Sequence, residues 1–302
     1  MKWIVLALST MVVCAPVAHS KTQDAPSPRS ASTNFYTADG PTVVAQLTAA
    51  YFDTRENCGK LSTPAFLCTG VLLRGTGQSD SHHAWNPRPG SKGVSFSYIR
   101  KDANFDRLVW GIAHGFIFYP YLNAPAGKVH PEVLCSFPIE AYTWVRNVCG
   151  PTSYHPVDSD VCQRQGITTA AQWKVHIEKG PLGGGDGIYT YVCGFDVRNA
   201  LNEAGGPAFY QSLRAMHEIP KEVASRYNEL LLQPWAQDIP TSLPIQAFFY
   251  LEGGLARAQH DQADFYTSTG GMVIPIIKIT LPAVVTGDAK FEYFPADQKY
   301  GG

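Results

Sequence analysis

Between residues 65 and 148 the chain is cut into short apolar runs, closed by glycine, proline, cysteine or charged residues. The runs are Ala65 to Arg74, Val94 to Arg100, Gly115 to Tyr119, Glu132 to Phe137 and Ala141 to Val148. Such runs suit strands, because a helix needs a longer periodic segment to bury one face. The 27 Gly and 22 Pro among 302 residues supply turns, which favours a strand-rich fold over a helix bundle. At 45% hydrophobic and 16% charged residues, the composition fits neither intrinsic disorder nor a long coiled coil. Its 24 basic and 25 acidic residues leave a net charge of -1, so no global field exists to hold nucleic acid or an anionic membrane.

The first twenty residues read as an address. Lys2 precedes the apolar run Trp3-Ile4-Val5-Leu6-Ala7-Leu8, which continues through Met11-Val12-Val13, and Ala18 and Ser20 fit a small-residue cleavage site. Pro16 and His19 end the run before it reaches a membrane-spanning length. Residues 1 to 20 are therefore read as a secretory signal peptide, and residues 21 to 40 as a flexible leader rich in Ser, Pro, Ala and Thr. The mature protein is expected to be secreted and soluble, with no membrane anchor. Of seven cysteines, Cys14 falls in the signal, leaving Cys58, Cys68, Cys135, Cys149, Cys162 and Cys193. In an oxidising compartment these read as structural disulfides; fifteen connectivities are possible, with Cys58 and Cys68 expected to pair.

Pro41 opens an expected helix, with Val43, Val44, Leu47, Ala50 and Tyr51 at helical spacing, ending near Cys58-Gly59. Asp102 to Ala113 is a short helix candidate. The texture changes after Cys149-Gly150-Pro151, and a loop-rich stretch leads to a strand expected over Ile188 to Val197. Helices are expected over Ala208 to Met216, Lys221 to Leu232 and Leu255 to Tyr266, and strands over Ile245 to Leu251 and Val273 to Leu281. This divides the chain into a core at 41–150 and a C-terminal half at 151–302 packed on it.

Three motifs carry chemistry. In Val71-Leu72-Leu73-Arg74-Gly75-Thr76 an arginine ends an apolar strand, and its planar fork suits bidentate binding of phosphate where Gly75 lets main chain approach a ligand. Taken alone it is more simply an arginine that ends a buried strand. In Gly93-Val94-Ser95-Phe96-Ser97-Tyr98 strand alternation puts Ser95 and Ser97 on one face and Phe96 on the other. Two hydroxyls so placed can orient a sugar or a carboxylate, though an ordinary strand with one polar face has the same pattern. In His130-Pro131-Glu132-Val133-Leu134 a carboxylate opens an apolar strand. It could share a cleft with Arg74 and stabilise a sugar oxocarbenium ion, or simply cap a strand in solvent.

In combination, Arg at a strand end, Ser-x-Ser in a following strand and then x-x-Glu-Val-Leu resemble the Arg-Ser-Glu class of mono-ADP-ribosyltransferases. The resemblance covers about residues 41 to 150. The whole chain is similar to secreted halovibrin-type proteins, including Gln233-Pro234-Trp235-Ala236-Gln237 and Pro275-Ile276-Ile277-Lys278-Ile279. The resemblance implies an α+β fold with a split β-sheet core and flanking helices, disulfide-braced, and NAD as co-substrate with no metal. It implies that Arg74 contacts the pyrophosphate and ribose end of NAD, with Gly75, Ser95, Ser97 and Glu132 completing the binding cleft. Ser95 supports the nicotinamide ribose and the catalytic carboxylate, and Glu132 holds the ribose 2′-hydroxyl. The family carries Glu or Gln two residues before its catalytic glutamate, where it helps to choose the acceptor; here that position is His130, a group able to act as a base.

The expected activity is cleavage of NAD at the nicotinamide–ribose bond and transfer of ADP-ribose to an unknown protein acceptor, in a toxin or effector that acts as a monomer. Water as acceptor would make the protein an NAD glycohydrolase. A non-catalytic secreted binding protein and a Glu132-dependent hydrolase of a sugar polymer are the readings from other classes. Gly183-Gly184-Gly185-Asp186-Gly187 lacks the Lys-Ser/Thr of a phosphate loop and reads as a surface turn. His82-His83, His114 and His130 have no metal-ligand spacing, and no Gly-x-Ser-x-Gly elbow occurs. Trp85-Asn86-Pro87 and Tyr98 are either cleft walls or core.

Overall fold

The computed structural model describes residues 39–76, 94–108, 111–119, 132–141, 149, 161–179, 192–197, 205–219, 227–233, 245–283 and 287–302. Helix α1 (Gly40–Phe52) begins where the Asp39 carboxylate accepts from the Thr42 N–H at 2.7 Å and Pro41 fills the first turn. Val43, Leu47 and Tyr51 form its buried stripe. The helix stops at Phe52, short of Cys58-Gly59. Asp53 is extended and accepts from the Arg55 main-chain N–H at 3.3 Å and Nε at 2.9 Å, a local turn that competes with another helical turn.

The run from Ala65 is a strand only in its second half. Ala65–Leu67 is a single 3-10 turn, and β1 (Val71–Gly75) starts after Gly70. Gly70 has φ +67° and a Cβ there would lie 2.2 Å from the Tyr98 ring, so only glycine lets the chain turn into β1. Strands β2 (Val94–Ile99), β3 (His114–Phe118) and β4 (Glu132–Phe137) lie in the expected runs. Residues 100–108 hold no helix. There the fully buried Arg100 bonds the Asp102 carboxylate at 2.5 and 2.8 Å and the Arg55 carbonyl at 2.7 Å, which pins a tight turn instead.

Past residue 150, α2 (Ala170–Ile177) lies in the stretch read as loop-rich. It is opened by a capping box between Thr169 and Gln172. Helix α3 (Gly205–Glu218) covers the segment expected from Ala208 to Met216. The helix expected over Lys221 to Leu232 is corrected by a strand, β5 (Glu229–Gln233); residues 221–226 lie outside the described residues. Leu230, Leu231 and Leu232 are all buried to within 1% of full burial, so the segment is covered on both faces, as a central strand is and a surface helix is not. Strand β6 (Ile245–Tyr250), helix α4 (Leu255–Ser268) and strand β7 (Ile276–Thr280) follow expectation, and β8 (Lys290–Glu292) is an addition. Of the strand expected over Ile188 to Val197, the described part contributes one bridge, between Phe195 and Ser136. Residues 142–148 lie outside the described residues.

Among the described residues the fold is α+β, with one eight-stranded sheet in the order β4-β5-β2-β1-β3-β6-β7-β8. Neighbours are antiparallel except β6 and β7, which run parallel across the α4 crossover. Strands from before and after residue 150 alternate in this sheet: β5 lies between β4 and β2, and β6 beside β3. Each face of the sheet has its own core. Leu72, Phe96, Phe116, Phe118 and Phe248 pack with Trp173 of α2, Phe209 of α3 and Phe265 of α4. Leu73, Ile99, Ile117, Phe249 and Ile277 pack with Val43, Leu47 and Tyr51 of α1. Disulfides join Cys58–Cys68, as expected, and Cys135–Cys149 and Cys162–Cys193. Among the described residues no helix is long and apolar enough to cross a membrane.

Candidate functional site

The pairing of β1 with β2 runs from Val71↔Ile99 to Leu73↔Ser97. The next residue of β1, Arg74, turns its guanidinium to the main chain of β2, where Nη1 donates to the Ser95 carbonyl at 2.6 Å. On the other side of β1, Gly75 pairs with Gly115 of β3, and a Cβ at Gly115 would stand 1.9 Å from the Arg74 carbonyl. A side chain there would push β3 away from the strand end that carries the arginine.

Ser95 and Ser97 are half-buried while Phe96 is buried in the helix-covered core, as the alternation predicts. The Ser95 hydroxyl donates to Oε1 of Glu229, the first residue of β5. The Glu229 carboxylate, in a residue 3% exposed, also accepts the Ala141 N–H on Oε2 at 2.9 Å. One carboxylate thus ties β2, β5 and the segment after β4 together. The neighbouring Asn228 is pinned to β2. Its Oδ1 accepts from the Tyr98 N–H at 2.7 Å and its Nδ2 donates to the Tyr98 carbonyl at 2.8 Å, so a side-chain amide extends the β2–β5 ladder by one step. Tyr227 then donates its hydroxyl to Oε2 of Glu140.

These groups line a cleft of ≈ 380 Å³, counted with its open mouth. Arg74, Gly75, Ser95, Ser97, Glu140 and Glu229 supply its polar and main-chain lining, and Leu73, Leu108 and Tyr227 add apolar wall. Among the described residues Arg74 is the cation of this lining and Glu140 and Glu229 are its acidic side chains. Such a site can hold an anionic group at the Arg74 end and stabilise developing positive charge at the Glu229 end.

The structure brings Arg74, Gly75, Ser95 and Ser97 together, and among the described residues the carboxylates beside them are those of Glu140 and Glu229. Glu132 opens β4, the edge strand, and its main chain pairs with Gln233 of β5. With β5 between them, β4 lies two interstrand steps, about 10 Å, from β2. The side chain of Glu132 and all of His130 lie outside the described residues, as do His82-His83, Trp85-Asn86-Pro87 and Gly183–Gly187. A sequence signal for Glu229 exists. Tyr227-Asn228-Glu229-Leu230-Leu231 has the same x-x-Glu-apolar-apolar form as His130-Pro131-Glu132-Val133-Leu134.

Tyr98 is core and not cleft wall: it is fully buried, its hydroxyl 2.8 Å from Thr69 Oγ1, and burial pushes its pKa up to about 12. His114 is buried with Nδ1 at 2.7 Å from Thr76 Oγ1 and 3.0 Å from Asp261 Oδ2, which anchors α4 against the ends of β1 and β3. Among the described residues no group of three His, Cys, Asp or Glu side chains is placed to hold a metal ion. No protein-family model and no curated protein matches the chain, so a family reading rests on these residues and their geometry.

Proposed function

We propose that the chain is an exported mono-ADP-ribosyltransferase of the Arg-Ser-Glu type, which breaks the nicotinamide–ribose bond of NAD and passes ADP-ribose to a protein acceptor. The observation that carries this reading is the hydrogen-bonded series Arg74–Ser95–Glu229 in one cleft. It keeps the chain order of the resemblance: an arginine ending one strand, a Ser-x-Ser in the next, a glutamate opening a third. In this scheme Glu229 takes the role expected of Glu132, and Tyr227 occupies the position expected of His130. The three disulfides agree with an exported protein, and a toxin or effector role would go with export and this chemistry.

The lining fits the substrate's charges. Arg74 would hold the pyrophosphate end, and Gly75 lets main chain approach it. Ser95 and Ser97 would face the nicotinamide ribose. Glu229 would accept from the ribose 2′-hydroxyl and lower the energy of the electron-poor C1′ as the bond to nicotinamide lengthens. It is suited to this because Ser95 and Ala141 already hold it in place, so little reorganisation is needed as charge develops.

The test is nicotinamide release from NAD by oxidised protein lacking residues 1–20, beside Glu229→Gln and Glu132→Gln variants. Glu229→Gln is expected to lose about 10²–10³ in rate, and Glu132→Gln to stay near wild type. The opposite ranking would return the carboxylate role to Glu132. No release by the wild type, with cell lysate supplied as acceptor, would overturn the reading. Release without labelled protein would make water the acceptor.

A further inference from the structure

The two carboxylates in the cleft are held in different ways. Glu229 is almost fully buried, with Ser95 on one oxygen and the Ala141 N–H on the other. Glu140 is half-buried and takes the Tyr227 hydroxyl on Oε2. The two are also linked through the chain. Glu229 grips the amide of the residue that follows Glu140, and Tyr227, two residues before Glu229, grips the Glu140 side chain. Asn228, between them, is locked to both main-chain groups of Tyr98. The closed circuit Glu140–Ala141–Glu229–Asn228–Tyr227 fixes a second, more accessible carboxylate beside the first.

We propose that Glu140 is the general base of this cleft, acting on the acceptor while Glu229 stabilises the sugar; the inference rests on the reading of the cleft as an NAD site. Two carboxylates in different environments divide such work naturally: the buried one is held in place by two donors, and the more exposed one is open to exchange a proton with water. The bond between the ribose C1′ and the nicotinamide nitrogen breaks, and its electron pair leaves with nicotinamide. The acceptor's oxygen or nitrogen forms the new bond to C1′, and its proton goes to the Glu140 carboxylate and then to solvent. Tyr227 is a positioning residue that keeps the base aimed into the cleft.

The experiment compares wild type, Glu140→Gln, Glu140→Asp and Tyr227→Phe in the oxidised protein. It reads single-turnover nicotinamide release and protein labelling from acid to neutral pH, with the Kd for NAD measured by calorimetry. Glutamine can still accept from Tyr227, so Glu140→Gln is expected to fold and to bind NAD within about twofold of wild type. It should lose about 10²–10³ in rate and lose the acid limb of the pH profile. Glu140→Asp should keep the acid limb at a reduced rate, and Tyr227→Phe should shift it. A Glu140→Gln enzyme with wild-type rate and acid limb, or with a rate loss matched by lost NAD affinity, overturns the inference alone. A wild type that releases no nicotinamide overturns both the inference and the function on which it rests.

Discussion

Ser95→Ala removes the hydroxyl that donates to Oε1 of Glu229 and leaves the Ala141 N–H as the remaining described donor to that carboxylate. The residue is 3% exposed, so the lost bond is poorly replaced by water from the Glu229 side. Hydrogen bonds to charged groups contribute about 1.5–3 kcal/mol, and the half-buried setting of Ser95 places the loss near 2 kcal/mol. Glu229→Gln keeps an oxygen for Ala141 and turns an amide donor toward the Ser95 oxygen, so its cost is about 1 kcal/mol or less. Once Ser95 is gone, the neutral amide is easier to keep buried than the carboxylate. The double variant should therefore be more stable than the sum of the singles implies, by about 1 kcal/mol. The measurement is urea unfolding of oxidised protein at neutral pH, comparing midpoints at a common slope. A Ser95→Ala midpoint within about 0.5 kcal/mol of wild type, together with strict additivity, would refute the contact that organises the cleft.

Two further outcomes bear on the scaffold. Burial raises the Tyr98 pKa from 10.0 to about 12, so between those values the folded state keeps a proton that the unfolded chain has lost. The resulting stability, about 3 kcal/mol, is fully present below pH 10 and lost as pH rises through 12, with the raised Tyr51 adding in the same direction. Melting temperature against pH should fall steeply there, and Tyr98→Phe should flatten the fall; an unchanged slope would refute the assignment to Tyr98. Cys162→Ser with Cys193→Ser opens a bridge of sequence separation 31, which should cost about 4 kcal/mol in the same urea assay, and a loss under about 1 kcal/mol would refute it.

The sequence read most clearly where a segment buries one face or alternates. The stripe of α1 and the alternation of β2 are local properties, and so was the placement of Arg74 and Ser95. The errors fall where tertiary surroundings decide. Glu229-Leu230-Leu231-Leu232 has good helix formers and no alternation, yet it fills a slot between β2 and β4 where both faces are covered. Read as a helix, that segment does not present its glutamate as the opening residue of a strand, so Glu229 is not singled out by the local pattern. Helix α2 is recoverable from the sequence, since Thr169-Ala170-Ala171-Gln172 has the capping-box pattern. The contact of Asn228 with Tyr98 spans 130 residues, and no local pattern announces it.

The strand that completes the cleft is made late. Glu229 lies 134 residues after Ser95, so Arg74, Ser95 and β4 all exist in the growing chain well before the carboxylate does. Until β5 arrives, β2 and β4 each present an open edge able to pair with the wrong strand. The step that removes this hazard is the same step that delivers the buried anion and clamps Ala141. A chain stopped short of residue 229 thus keeps open strand edges and lacks one wall of this cleft. Closing these two edges and assembling the cleft are one event, because the strand that fills the slot also carries Glu229.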